Sequence, residues 1–210
     1  MPNFLIAALA VVAAYLVGSI PFAVVSSRLF GLADPRSYGS KNPGATNVLR
    51  SGNKAAAALT LLGDLAKGWL AVFLAQSFGP EYGFGQVFVG AVALAVFFGH
   101  LYPVFLKFKG GKGVATAAGV LLALDPLLGL SVLGIWLFVT FTLRYSSLAA
   151  LLAAAAAPLL AFVFWGASVM VPVVGILAMA LIGRHWANLQ RLMAGTEPKI
   201  GAGKKASVKP

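Results

Sequence analysis

The chain has 210 residues, of which 60% are apolar and only 10% charged, with a mean hydropathy of +0.91. That is more apolar surface than a soluble core of this length can bury, so the composition excludes an ordinary water-soluble domain and points to a polytopic membrane protein. The absence of cysteine excludes disulfides and thiolate metal sites, and a net charge of +11 in such a protein reports topology and anionic lipid rather than nucleic acid.

The first apolar run extends from Asn3 to about Phe30 and is long enough for a tilted span. No short apolar segment ends in a small-residue cleavage site, so this run reads as a retained helix rather than a removed signal. Residues 34–50 then gather hydroxyls, amides, glycines and three cations, including GSKNPGATN at 39–47 and Arg50. Lipid offers no partner for such groups, and their surplus of donors suits an anion site; the stretch reads as half of a phosphate pocket.

A second span runs from Ala55 to Phe78 and carries Asp64 and Lys67 one turn apart, placed to neutralise each other. After a turn at Gly79-Pro80-Glu81, a third span covers Phe84 to Phe105, with His100 near its end expected as an interfacial histidine. Lys107 to Gly113 forms the second polar element. Val114 to Leu124, short for a span, stops at Asp125-Pro126, a pair that favours a turn. Leu127–Leu143, Leu148–Trp165 and Val169–Gly183 follow as apolar segments, and a basic tail begins at Arg184.

Charge counting decides whether the short segment crosses, because Lys and Arg are retained on the cytoplasmic side. With seven crossings, 15 of the 16 basic residues fall on one side and the last, Lys67, lies within a helix. The opposite loops carry Glu81 and Asp125 and no cation. If 114–124 did not cross, the six basic residues of the tail would fall outside. The expectation is a single all-α membrane domain over 1–210 with seven transmembrane helices, amino terminus outside and carboxyl terminus cytoplasmic. All polar motifs then share the cytoplasmic face.

Within the run Gly110-Gly111-Lys112-Gly113, glycines allow consecutive N–H groups to converge on an anion. A helix starting at Val114 aims its positive end there, and Lys112 adds a full charge. A flexible interfacial turn with snorkelling lysines is an equal alternative from this run alone. It is not a nucleotide P-loop, since Gly113 follows Lys112 where Ser or Thr is required. In the third polar element, from Arg184 to Arg191, His185 and Asn188 stand on one helix face, with Arg184, Asn188 and Arg191 on a neighbouring stripe. A positively charged helix end at the headgroups is the plainer alternative. Ser146-Ser147, after Arg144, is a turn by default and a hydroxyl contact if the other loops converge on it.

GSKNPGATN with Arg50, FKGGKGVAT at 108–116 and H-x-x-N-x-x-R-L-x-x-G-T-E at 185–197 resemble the three cytoplasmic motifs of the acyl-phosphate-dependent glycerol-3-phosphate acyltransferases, the PlsY family. The resemblance covers the whole chain in order and spacing. It implies transfer of a fatty acyl group from acyl phosphate to the primary, sn-1 hydroxyl of glycerol 3-phosphate. The products are lysophosphatidic acid and phosphate, the first step of phospholipid synthesis in a bacterial inner membrane. By motif position, Ser40, Gly110, Gly111 and Lys112 would hold acyl phosphate. Arg50, Ser147, His185 and Asn188 would engage glycerol 3-phosphate, Ser146 being the alternative to Ser147. Asn42, Gly44, Thr46 and Asn47 would shape the first loop, and Lys112, His185, Asn188 and Ser40 would act at the reacting atoms. Lys41 stands where the family usually has glycine, and Trp186 and Ala187 replace residues that are usually polar.

The chemistry agrees with what the chain lacks. His100 and His185 are followed at the fifth position by Phe105 and Gln190, so the histidine–aspartate dyad of another acyltransferase class is missing. Two histidines, five acids and no cysteine leave little for a metal or a thiol nucleophile, and no cofactor is expected. An acyl phosphate is already activated, so holding two anions together and stabilising developing charge is enough. Its chain can remain in the bilayer, which makes membrane lipid the only other expected partner besides the two substrates. The rival reading is a transporter of phosphate or a phosphorylated solute, which would place unpaired cations or broken helices at the midplane. A structural membrane subunit would leave three donor-rich loops on one face unexplained.

Overall fold

A computed structural model describes residues 2–201, which form ten α-helices joined by short turns. They are α1 (Pro2–Gly18), α2 (Phe22–Leu29), α3 (Ala45–Val48), α4 (Lys54–Phe78), α5 (Gln86–Leu101), α6 (Val114–Leu124), α7 (Pro126–Leu143), α8 (Ser146–Trp165), α9 (Met170–Arg184) and α10 (Trp186–Met193). Four helical segments, Lys54–Tyr82, Gln86–Leu106, Pro126–Leu143 and Ser146–Trp165, are long and apolar enough to cross a bilayer. The pairs α1/α2 and α9/α10 qualify when each is taken as one bent span, giving up to six. Large apolar side chains such as Phe138, Phe141, Leu159 and Val163 are exposed around the bundle, which suits lipid and not water.

The expected single helix over 3–30 is instead broken, with a bend of 45° between α1 and α2. Pro21 has no N–H to continue the ladder, so the chain tightens at Ser19 and Ile20, whose amides turn back to Tyr15, Leu16 and Val17. The break leaves the Ile20 carbonyl exposed to the interior, where Lys67 Nζ donates to it at 2.9 Å. Lys67 also pairs with Asp64 at 2.7 Å, as its spacing predicted. His100 is not at an interface: it is buried, with Nδ1 3.4 Å from Asp64 Oδ1. The trio therefore ties α4 and α5 to the break in the first span.

Close approach of backbones replaces large-residue packing through the centre. A Cβ on Gly18 or Gly99 would run into the facing backbone of α5 or α1, and one on Gly68 or Gly119 into that of α6 or α4. Around these crossings, Val96, Phe97, Leu101, Val120 and Leu177 form the main core, with Ala150, Ala154 and Ala178 filling narrow gaps.

Hydrogen bonds identify which ends lie together. Asn3 Nδ2 donates to the Tyr82 carbonyl at 3.1 Å, so the start of α1 meets the turn after α4. Asp125 caps α7 by accepting from the Leu127 amide and also accepts from Trp165 Nε1 at the far end of α8, at 2.9 Å. The turn expected at Asp125-Pro126 is thus a one-residue break between α6 and α7. Helix α6 has only 11 residues, about 16 Å at 1.5 Å per residue. It begins at the second polar motif and ends at Asp125.

Removing one member of the buried pair strands the other. Asp64→Ala should destabilise the purified protein by about 3–5 kcal/mol, and Asp64→Leu combined with Lys67→Met by clearly less. Thermal unfolding in one fixed detergent compares the two.

Candidate active site

The second polar motif is folded back under the end of α5. The amides of Gly110 and Gly111 donate to the carbonyls of Leu101 and His100, at 3.2 and 3.1 Å. The expectation that these two N–H groups point at an anion is therefore corrected: the backbone spends them on closing its own loop. The glycines are required by space instead, because a Cβ at Gly110 would strike the His100 carbonyl and one at Gly111 the His100 ring. Gly113 takes φ +87° against Phe97, and α6 starts beyond it. Among the described residues no acceptor meets the Lys112 and Gly113 amides, so these, the first turn of α6 and Lys112 Nζ are the donors left over.

Lys112 Nζ donates to Asn188 Oδ1 on α10. Asn188 Nδ2 donates to Glu197 Oε1 at 2.7 Å, and the same oxygen accepts from Ser147 Oγ at the start of α8 at 2.6 Å. Arg191 Nε closes on Glu197 Oε2 at 2.7 Å. Of the two candidate serines, Ser147 is the buried one that joins the cluster. His185 sits at the break between α9 and α10, buried, with its Nδ1–H donating to the Leu181 carbonyl at 2.9 Å. That bond leaves the Nε2 lone pair as the ring's free acceptor. Lys112, Asn188 and Ser147 are thus joined through Glu197, while His185 stands three residues before Asn188 and bonds within its own helix.

Glu197 carries no role in the sequence reading beyond its place in the third motif, yet three donors converge on it. The available signal was its isolation: it is the one acid in a tail that holds six basic residues. Arg184 likewise turns inward, its guanidinium donating to the carbonyls of Gly110 and Gly111.

The first loop is a separate structure knitted by Asn47. Its Oδ1 accepts from the Ser40 amide at 2.9 Å, and its Nδ2 donates to the carbonyls of Pro35 and Tyr38 at 2.6 and 3.2 Å. Gly44 precedes α3, its amide bonded to the Asn42 carbonyl, while Thr46 is exposed. Lys41 adopts φ +55°, a left-handed conformation that glycine takes without strain, so the departure noted in the sequence is accommodated at a backbone cost of about 1–2 kcal/mol. Arg50 lies against Gly39 on the exposed side of this loop. Ser40 is exposed and makes no side-chain hydrogen bond to the other two motifs among the described residues. A cavity of about 10 Å3, room for one water, brings Pro43 of this loop to Gly110, Gly111 and His100. A cavity of about 540 Å3 lies at the opposite end between Gln76, Phe84, Trp165 and Met170. It contains none of the motifs, so chemistry and not volume locates the site.

Electrostatics mark the cluster as short of negative charge. Burial pushes the Lys112 ammonium down to about 8, and the cations of Arg191, Arg184 and Arg50 push the same way, with Glu197 opposing them. Burial by itself would raise Glu197, but hydrogen bonds from Ser147, Asn188 and Arg191 outweigh it and hold the carboxyl below its usual value. His185 is pushed down to about 4, chiefly by burial, and is neutral at physiological pH.

Fold and site together define a helical membrane protein with a cation-rich mouth in which the second and third polar motifs are joined by hydrogen bonds to the start of α8. A sequence profile of glycerol-3-phosphate acyltransferases matches residues 8–195, and the chain belongs to that family. It is 67% identical over 199 residues to the glycerol-3-phosphate acyltransferase of Dechloromonas aromatica, covering 95% of this chain and 98% of the other. Against that of Cupriavidus necator the identity is 58% over 205 residues, covering 98% and 100%. The fold matches the crystal structure of PlsY, an integral membrane glycerol 3-phosphate acyltransferase, in its glycerol 3-phosphate form. That match has a TM-score of 0.85 at 40% identity and covers 93% of this chain and 96% of the other. The lysophosphatidic acid form gives 0.84 at 38% identity over the same shares. The resemblance to the PlsY family, the integral membrane class and the all-helical fold are thereby established, and with them an acyltransferase of phospholipid synthesis.

The Lys112 amine should titrate near pH 8 in substrate-free protein instead of near the usual value of about 10.4. The sign follows from burial, which penalises the cation, so the charge is present below that pH and lost as pH rises through it. Reductive methylation followed by NMR reads the titration directly. Glu197→Gln, which removes the opposing carboxylate, should move the midpoint lower still.

Proposed function

We propose that this protein transfers a fatty acyl group from acyl phosphate to the sn-1 hydroxyl of glycerol 3-phosphate, releasing lysophosphatidic acid and inorganic phosphate. The observation that carries the reading is the continuous hydrogen-bonded set Lys112–Asn188–Glu197–Ser147, drawn from the second loop, α10, the tail and α8 within one cation-rich mouth. Lys112 receives the donor's phosphate from the turn that Gly110 and Gly111 shape, and Ser40 is assigned to the same phosphate by its motif position. Arg50, Ser147, His185 and Asn188 receive glycerol 3-phosphate. The acyl chain lies among the lipid-facing helices and only the headgroup enters the mouth, so no water-filled channel is needed.

In the reaction the glycerol oxygen attacks the acyl carbonyl carbon and the bond from that carbon to phosphate oxygen breaks, the phosphate leaving with the electron pair. Lys112 and the free amides beyond it stabilise the charge that collects on the leaving phosphate. The hydroxyl proton ends on a phosphate oxygen. A histidine with a pKa of about 4 is a poor base at neutral pH, whereas a phosphate monoester titrates near 6. His185 Nε2 is better suited to accept the hydroxyl's hydrogen bond and aim its oxygen.

The same reading places seven crossings in the chain, with the amino terminus outside and the carboxyl terminus and active site at the cytoplasmic face of a bacterial inner membrane. Two contacts support it: α6 starts at the mouth, beside His100, and ends at Asp125, which meets Trp165 at the far end of α8. The start of α1 joins Tyr82, away from the mouth. Helix α6, with 11 residues, is the short element that connects the two ends in this reading.

Purified protein given glycerol 3-phosphate should release phosphate and lysolipid with acyl phosphate and not with acyl-CoA; product from acyl-CoA alone would overturn the donor assignment. Lys112→Ala should weaken acyl phosphate by about 1.5–3 kcal/mol, the value of a charge-assisted contact, read as a rise in KM for that substrate. Arg50→Ala should raise the KM for glycerol 3-phosphate more than that for the donor, and the reverse pattern would exchange the two subsites.

A further inference from the structure

We propose that Arg184 is a positioning residue, acting on the reaction by clamping the peptide that carries Lys112 and not by touching substrate. Arg184 is the last residue of α9, and its side chain reaches the second motif. Its Nη2 donates to the Gly110 carbonyl at 2.9 Å and its Nε to the Gly111 carbonyl at 3.2 Å. The planar guanidinium lies 5.6 Å from the centre of the Tyr102 ring, which braces it.

These bonds complete a set. The N–H groups of Gly110 and Gly111 are already bonded to the Leu101 and His100 carbonyls, and the missing side chains leave their backbone pressed on His100. With Arg184 on the two carbonyls, every polar backbone group of the pair is engaged. The next residue is Lys112, so the clamp sets where its side chain leaves the backbone. Only a fork of fixed geometry reaches two successive carbonyls at once; a lysine at 184 would keep the charge and lose the fork.

That difference separates positioning from a simple contribution of positive charge. Wild type, Arg184→Ala and Arg184→Lys would be compared by steady-state kinetics, thermal unfolding and hydrogen exchange of the Gly110 and Gly111 amides without substrate. Both variants should melt close to wild type yet exchange these amides about tenfold faster, with the KM for acyl phosphate raised about tenfold. In a Lys112→Ala background the same Arg184 substitutions should leave that KM unchanged. Unchanged amide exchange, near-wild-type KM in Arg184→Lys, additive effects with Lys112→Ala, or faster exchange spread through α5, α6 and α9 would each overturn the clamp. The kinetic arm rests on the proposed donor; exchange does not. Wild type that ignores acyl phosphate would end the donor reading while the amide exchange still decides the clamp.

Discussion

An ammonium group withdrawn from water at the mouth of an apolar bundle governs the rest of this structure. Lys112 is surrounded by Arg50, Arg184 and Arg191 and opposed by the single carboxylate of Glu197, so the mouth is under cationic stress when empty. Burial is tolerable because Asn188 supplies an acceptor and Glu197 partly offsets the charge one contact further on. Burial is the main cause that holds the Lys112 ammonium down, and the neighbouring cations add to it, so electrostatic complementarity at this mouth favours anions.

The site lies where helices are short or broken. The break before Pro21 divides α1 from α2, α5 stops at Leu101, and the second motif folds back toward His100 before α6 begins. Glycine contacts at the α1–α5 and α4–α6 crossings let these short pieces approach closely enough to bury one another's backbones. The charged residues inside the bundle serve the same end. Asp64, Lys67 and His100 form a closed set whose fourth partner is the Ile20 carbonyl, freed by the break itself. Charges spent on each other and on backbone make a strut, which is the opposite of the unpaired midplane cation that a phosphate transporter would need.

Much of this was legible along the chain. Apart from the first run, which breaks at Pro21 instead of continuing to Phe30, apolar runs and the turn at Asp125-Pro126 gave the long helices within a few residues, because helix and turn formation depend on neighbours in sequence. The Asp64–Lys67 pair followed from one-turn spacing, and the three motifs marked their own polar character against an apolar background. What the sequence could not assign was partnership between residues far apart. Ser147 bonds Glu197 across 50 positions and Lys112 bonds Asn188 across 76, and no periodicity records such distances.

The chain's residues by themselves determined a basic, cysteine-free set of membrane helices with its donors gathered in three loops, since composition and local spacing fix solvent preference and helix formation. Tertiary structure alone decided how those donors are spent. It turned the Gly110 and Gly111 amides inward to the backbone, brought His100 beneath them and Arg184 onto their carbonyls, and made Glu197 the hub of the third motif. The reason is that a hydrogen bond saturates: a donor pointing at its own loop is no longer available to a ligand, and which way it points depends on what the fold packs beside it.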